Sequence, residues 1–494
     1  MKLIIYACCG VLGAVQAFAQ SATSRSMTLQ EAILQTIDHN FDVQSSRFEP
    51  RIDQLSLTKS YATYEPSWYA SGSARSSTTG GGYNSSIGVS TSANKSDSET
   101  YESGIKGTLP TGLQYDFSTD ATKNKTSSSP NDQWSTSAGA YSLTQPLLKG
   151  FWWYSDSSIQ IALNKKTIKY DELGVRQQLI DQVAATEQAY YSLISAFETI
   201  KVQEAALELA ERLVAENKRK VEVGSMAPLD EKQAESQAAS RRADLIASHG
   251  TLEKQQNGLK KLITDQYKNW RDISIIPADK LIVMPEKFDL QDSWRKGLTL
   301  RPDYLRVKVA IEKQAISVKQ KRNQLLPQLN LTGQYSRSGI ANTLGDSWDD
   351  IRTERLPTYQ YGATISVPLG NRAARADYRS AKTLAEQQEL TLRSTEQNIL
   401  IGIDDAIKSA NTAFQRIQAT RAAREYAELA LSAEQKKLDV GKSTSFEVLQ
   451  LQNNLTSARL DEINAMADYN KSLSEISHQE GSILDRFNLT VRIY

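Results

Sequence analysis

The 494-residue chain has two cysteines, Cys8 and Cys9, and three scattered histidines, His39, His249 and His478. Both cysteines lie in an N-terminal stretch of Met1-Lys2, an apolar run from Leu3 to Val15, and Ala17-Phe18-Ala19. A charged start, a short apolar run and a small-x-small site read as a signal peptide over residues 1–19, with the mature chain beginning at Gln20. The alternative, a membrane anchor, needs about 20 apolar residues, well beyond this run. Only seven residues precede Cys8, too few for the apolar region that a lipid-anchor cysteine requires. The mature protein is therefore expected to have no disulfide and no cysteine metal site. Walker loop, nucleophile elbow and HExxH motif are lacking too, which disfavours an enzyme and predicts no cofactor. Fifty-eight basic residues against 57 acidic ones leave a formal charge of +1, which becomes 0 once Lys2 is removed. That balance speaks against nucleic acid as a partner and against a polybasic membrane surface. No later run approaches 18 apolar residues, so any membrane crossing must be a closed β-barrel.

What the chain does have is duplication. Lys218–Glu235 and Gln435–Gln452 are two versions of one stretch, with Val223-Gly224 on Val440-Gly441 and Asp230 on Glu447 at an offset of 217. Gly224 and Gly441 read as helix-ending residues free to take the left-handed conformation. Ser225 and either Ser443 or Ser445 are expected to help cap the returning helices, with Pro228 in a first turn. Upstream, Thr28–Glu31 matches Asp289–Asp292, Asn40–Asp42 matches Arg301–Asp303, and Glu65–Ser67 matches Leu326–Gln328, all at an offset of 261. The offset falls to 222 at Pro146 and Pro368, so the first half carries about 39 additional residues between Pro66 and Pro146. Insertions of that kind enter exposed loops or extra hairpins.

The repeats give an organisation. Residues 20–270 form the first repeat, with strands about 66–146 and a helical hairpin about 156–264 turning at 223–228. A linker covers 271–288. Residues 289–485 form the second, with strands about 327–368 and a hairpin about 371–480 turning at 440–445, followed by a tail, 486–494. Pro66, Pro146, Pro327 and Pro368 punctuate the strand–helix junctions, because proline lacks a backbone donor and restrains its predecessor.

Between the prolines the chain alternates. Leu113, Tyr115 and Phe117, then Leu329, Leu331, Gly333 and Tyr335, then Tyr359, Tyr361, Ala363, Ile365 and Val367 each alternate with polar residues. Period two over about 9–11 residues fits an outer-membrane strand; a soluble β-sandwich strand gives the same pattern. Gly80–Gly82, Lys123–Asp132 and Ser338–Arg355 are expected to be loops. Glu102–Phe117, turning at Leu109–Gly112, reads as an extra hairpin at the extracellular face or near the membrane. Trp68, Tyr69 and Phe151–Tyr154 suit a membrane interface, with buried core aromatics as the alternative.

The helices follow a different period. Asn371–Leu438 has no proline, and its length comes to about 100 Å at 1.5 Å per residue. Ile399, Ile403, Ala406, Ala410, Ala413, Ile417 and Thr420 recur with 4-3 spacing, as do Leu179, Val183, Thr186, Tyr190, Leu193, Phe197 and Ile200. A 3.5-residue period means coiled-coil packing.

Strand pair, long helix, Val-Gly turn and returning helix, written twice behind a signal peptide, resemble the TolC family of outer-membrane efflux and secretion channels. The most specific residues are Val440–Leu449 with Gln452 and Ala458-Arg459, Arg301-Pro302-Asp303, Leu326-Pro327, Val367-Pro368-Leu369 and Ser142–Gly150. The resemblance implies a mainly α fold with β: a homotrimer with four strands per chain in one 12-stranded outer-membrane β-barrel, continued by a periplasmic α-helical coiled-coil barrel. So few strands per chain cannot close a water-filled pore alone. It implies a passive exit duct in the outer membrane, in contact with its lipid and extending into the periplasm. The partners would be a periplasmic adaptor (membrane fusion) protein and an inner-membrane pump. The adaptor-docking tips would be Gly224, Ser225, Met226 and Ala227 with Gly441, Lys442, Ser443 and Thr444, residues that serve as helix caps on either reading. Asp230 and Glu447 would form the periplasmic gate, as rings of negative charge that attract cations; the alternative role is to favour the helix dipole. The sequence departs from the family's gate pattern at Leu438, Ser443 and Gln450, which bears on the salt-bridge latch the resemblance would otherwise imply. A function of another class is a trimeric coiled-coil surface stalk or adhesin, which the paired strand–helix repeats disfavour.

Overall fold

A computed structural model describes residues 24–489 apart from 85, 87, 91–92, 128–131, 282 and 354–356. The expected signal peptide and the end of the tail lie outside the described residues. In chain order the strands are β1 (Ser24–Met27), β2 (Ser67–Thr79), β3 (Tyr83–Asn84), β4 (Val89–Ser90), β5 (Asn94–Thr108), β6 (Gln114–Thr126), β7 (Gln133–Pro146), β8 (Ser274–Pro277), β9 (Gln328–Ala341) and β10 (Pro357–Ser366). The helices are α1 (Leu29–His39), α2 (Phe41–Ser46), α3 (Phe48–Tyr61), α4 (Asp156–Glu222), α5 (Pro228–Ile263), α6 (Tyr267–Trp270), α7 (Leu290–Leu300), α8 (Pro302–Asn323), α9 (Leu344–Thr353), α10 (Arg372–Asp439), α11 (Ser445–Glu480) and α12 (Ile483–Arg486).

The chain folds as two units, each drawing on both halves of the duplication. Among the described residues, one contains 24–44, Leu179–Ser293 and 403–489; the other contains Ser45–Gln178 and Trp294–Gly402. The long helices α4 and α10, of 67 and 68 residues, contribute to both.

In the first unit the helical hairpins bury their 3.5-period seams. Leu179, Val183, Thr186, Tyr190, Leu193 and Ile200 are buried on α4, and Ile403, Ala406, Ala410 and Ile417 on α10. A parallel ribbon pairs β1 with β8, Ser24 opposite Ser274 and Met27 opposite Pro277. Met27 and Ile275 from that ribbon complete a core with Ala32, Tyr190, Leu193, Leu259 and Ile263. The Tyr190 hydroxyl reaches the Met27 carbonyl at 2.8 Å and the Asp279 carboxylate at 2.9 Å. Burial of a tyrosine of this size requires such partners for its hydroxyl.

The second unit holds a six-stranded antiparallel sheet ordered β10-β9-β7-β6-β5-β2. Four strands per chain was the expectation, and six is the correction. The two additional strands are β5 and β6, which lie between β2 and β7 where the second half pairs β9 directly with β10. Their hairpin spans 94–126 rather than 102–117. Its turn places Gly112 at φ +84 and lies beside the β7–α4 junction, where the Trp152 N–H donates to the Thr111 carbonyl at 3.2 Å. Two of the expected loops also contain regular structure. β6 continues to Thr126, and Ser338–Arg355 holds the end of β9 and all of α9. Thr343 precedes α9 and caps it, its Oγ1 accepting from the Asp346 N–H at 3.2 Å.

Pro66 and Pro327 immediately precede β2 and β9, Pro146 ends β7, and Pro368 follows β10. Buried Asn323 secures one junction by accepting from the Gly150 N–H at 2.9 Å and donating to the Leu148 carbonyl at 3.2 Å. The aromatics of this region face outward: Trp68 is 72% exposed and Trp153 71%.

Candidate functional site

The two hairpin tips are built alike. Gly224 and Gly441 have φ of +71 and +72, a region that side chains other than glycine rarely tolerate. The Ser225 N–H donates to the Lys220 carbonyl and the Lys442 N–H to the Lys437 carbonyl, both at 2.8 Å. Gly224 and Gly441 in turn donate to Val221 and Leu438 at 2.9 and 3.1 Å. These are paired Schellman closures, which satisfy the carbonyls left open at a helix end.

The returning helices start differently from each other. Thr444 caps α11, its hydroxyl accepting from the Glu447 N–H at 3.4 Å, and neither Ser443 nor Ser445 does so. Ala227 opens α5 without a side-chain cap, and Ser225 instead donates to the Lys220 carbonyl at 3.0 Å. Pro228 occupies the start of α5, where a missing N–H costs nothing. Asp230 and Glu447 both fall in first turns, and their negative charge favours the helix N-termini. The Ser443 hydroxyl lies 2.6 Å from Glu434 and 2.9 Å from Glu447. Lys437 and Ser443 hold the Glu434 carboxyl below its ordinary range.

Behind the tips lies a joint that sequence reasoning missed. Asn217 on α4 is fully buried; its amide donates to the Asp230 carbonyl at 3.2 Å, and its oxygen accepts from Ser445 at 3.1 Å. The Met226 sulfur is 3.7 Å from the same serine hydroxyl, so both tips meet at this point. Leu213 of α4 packs beside it with Leu431, Leu438, Val448 and Leu449 of the other hairpin. The signal that could have found it is a second 4-3 run, Ala206, Ala210, Leu213 and Asn217, set one residue out of register with the seam that ends at Ile200. Farther along, Asn453 of α11 accepts from Gln237 at 2.6 Å and also from Arg241.

An ion-pair network then joins α10 to α11. Glu462, 11% exposed, meets Arg424 at 2.5 Å and Arg421 at 3.3 Å, and Glu428 meets Arg459 at 2.8 Å and Arg424 at 3.1 Å. Arg459 and Arg424 hold the Glu428 carboxyl low. Outside, Val223, Leu229, Val440 and Phe446 are 60–79% exposed around the two turns. Among the described residues no cluster of His, Cys, Asp and Glu could hold a metal ion, and no helix is long and apolar enough to cross a membrane.

A six-stranded antiparallel sheet and two long helical hairpins with matched tips fit an outer-membrane channel protein. The chain belongs to the outer membrane efflux protein family, whose model matches residues 19–264 and 296–478, one match in each half. Outer membrane protein TolC of Vibrio cholerae serotype O1 is 22% identical over 373 residues, covering 74% of this chain and 80% of that protein. Outer membrane efflux protein BepC of Brucella suis biovar 1 is 22% identical over 329 residues, 66% and 68% of the two. Among solved structures, the outer-membrane channel OprN aligns with a TM-score of 0.69 at 15% identity, covering 92% of this chain and 90% of that one. The Campylobacter jejuni CmeC outer membrane channel aligns with a TM-score of 0.66 at 16% identity, covering 98% and 94%. Family membership makes the chain a passive channel component rather than an enzyme.

Proposed function

We propose that this protein is the outer-membrane exit duct of a tripartite efflux or type I secretion system. It resides in the outer membrane, extends into the periplasm, and passes substrates outward without an energy source of its own. Three copies share one β-barrel and one helical tunnel. The tips Gly224–Ala227 and Gly441–Thr444 dock on a periplasmic adaptor (membrane fusion) protein, and an inner-membrane pump supplies the work. Asp230 and Glu447 ring the constriction just inside those tips. The observation that carries this reading is the pair of equivalent Schellman-closed hairpins attached to a sheet with one apolar face, in a chain matched twice by the outer membrane efflux model. Exposed Val223, Leu229, Val440 and Phe446 give the tips an apolar surface for a partner. The stalk alternative leaves the sheet and its duplication without a use.

Single-channel recording in planar bilayers tests the duct. Wild type is expected to give cation-selective openings, and the Asp230→Ala, Glu447→Ala double variant to lose much of that selectivity. A silent wild type beside a conducting variant would identify a closed gate at the tips. A well-inserted trimer that conducts in neither form would overturn the duct.

A further inference from the structure

The inserted hairpin β5–β6 has a place in the wall of the pore. Cross-strand register aligns Trp68, Ile105, Phe117, Tyr141, Tyr335 and Tyr359, one residue from each of the six strands. Ring contacts link four of them, Phe117 to Tyr141 at 5.2 Å, Tyr141 to Tyr335 at 5.9 Å and Tyr335 to Tyr359 at 5.1 Å. Trp68, Ile105, Phe117, Tyr141 and Tyr359 are 41–72% exposed in one chain. A hairpin folded inward as a plug would break this face; here the apolar row runs through β5 and β6 without interruption. The inserted strands therefore meet lipid as the others do.

The edges of the sheet decide how copies join. β2 and β10, of 13 and 10 residues, have no partner on their outer sides among the described residues. Bilayer hydrocarbon does not tolerate an open edge, since nothing there satisfies its N–H and C=O groups. Six antiparallel strands set β2 and β10 running in opposite directions. The β10 edge of one copy can thus add antiparallel to the β2 edge of the next, and the ring closes with no parallel seam.

We infer that three copies of this chain close an eighteen-stranded barrel, six strands each, in place of the twelve that four strands per chain would give. The inference rests on the trimeric duct proposed above. Barrel diameter grows roughly in proportion to strand number, so this pore is about 1.5 times wider than a twelve-stranded one. The insert also places charge inside. On the polar face, β9 and β10 present Gln328, Asn330, Thr332, Gln334, Gln360 and Thr364. The insert presents Glu102 and Asp120, which pair directly across β5 and β6, and Asp116, which pairs with Lys106. Tyr69 of β2 bridges two of these acids, its hydroxyl 2.9 Å from Glu102 and 3.0 Å from Asp116. Three copies make an acidic belt within the membrane segment, an element of selectivity separate from the tips.

The test uses the full chain in three forms. The first carries one cysteine on each edge, Ser71→Cys or Ser73→Cys with Gly362→Cys or Thr364→Cys; both native cysteines lie in the expected signal peptide, so every disulfide then reports a seam. Oxidation is expected to give covalent trimers on non-reducing gels. The second form lacks residues 94–126, which lets β2 pair with β7 as β9 pairs with β10. In bilayers, polyethylene glycols added on the extracellular side are expected to enter the wild-type mouth at sizes that the deletion excludes. Where the deletion does not assemble, the third form, Glu102→Gln, Asp116→Asn, Asp120→Asn, reads the belt through a severalfold fall in the cation-to-anion permeability ratio. A conducting wild type whose edge cysteines never join, or whose polymer cut-off the deletion shares, overturns the eighteen-stranded wall and leaves the duct intact. A conducting third form with unchanged selectivity overturns the belt. A wild type that never conducts removes the duct itself.

Discussion

Asn217 is polar, fully buried and placed where a heptad seam calls for an apolar side chain. Its partners lie on two other helices, α5 and α11, so losing its amide removes the hydrogen bonds to the Asp230 carbonyl and the Ser445 hydroxyl together. We expect Asn217→Ala to destabilise the helical part by about 1–3 kcal/mol, the usual range for leaving buried polar groups unpaired. Chemical denaturation followed by helical circular dichroism checks this, and an unchanged midpoint would remove Asn217 from the joint. His478 carries a pH signature. Burial opposes its charge, but Asp181 at 2.9 Å and Glu475 outweigh burial and raise its pKa to about 9. A histidine whose folded pKa is raised stabilises fully below its unfolded value of about 6.5 and loses that contribution as pH climbs through the folded one. Wild type should therefore exceed His478→Gln in stability at pH 6, with the gap closing above about pH 9. Paired thermal melts across pH 5.5–10 read the difference, and a pH-independent gap would refute the charge.

At the scale of elements, the helices were legible and the strands only partly so. Gly224, Gly441 and the 4-3 seams fix turns and faces because a left-handed residue and a 3.5-residue period each have few structural solutions. β5 and the distal part of β6 were harder. Ser96-Asp97-Ser98-Glu99 and Lys123-Asn124-Lys125 carry no apolar alternation, so strand beyond an apolar band looks like loop. Helix α9 hid among polar residues, although Thr343 three positions before Asp346 is a capping signal. Of the candidate site, sequence located both glycines and both first-turn acids but misassigned the caps, because Ser443, Thr444 and Ser445 compete for one role. The tip motif itself gives a test. Gly441→Ala should cost about 1–2 kcal/mol, since φ of +72 puts Cβ against the backbone. Gly441→Asn should recover part of that, because asparagine visits this region more readily. Melts of the two variants decide, and equal losses would deny the strained turn.

For the whole molecule, one chain leaves much unfinished. Two long sheet edges lack partners among the described residues, and a row of aromatic and aliphatic side chains stands exposed across the sheet. Such surfaces drive association in water and are at rest only against lipid and copies of themselves. Detergent-solubilised protein is accordingly expected at three times the chain mass by light scattering, and a monodisperse monomer would contradict the shared barrel.

The matched tips are equal in backbone and unequal in chemistry. One turn reads Gly224-Ser225-Met226-Ala227 with no charge; the other reads Gly441-Lys442-Ser443-Thr444 and carries a cation. In the three-chain ring proposed above, six ends of two alternating kinds would form a pseudo-sixfold face over a threefold axis. A partner of six identical subunits docking on that proposed face would meet two unlike seats, one uncharged and one carrying Lys442.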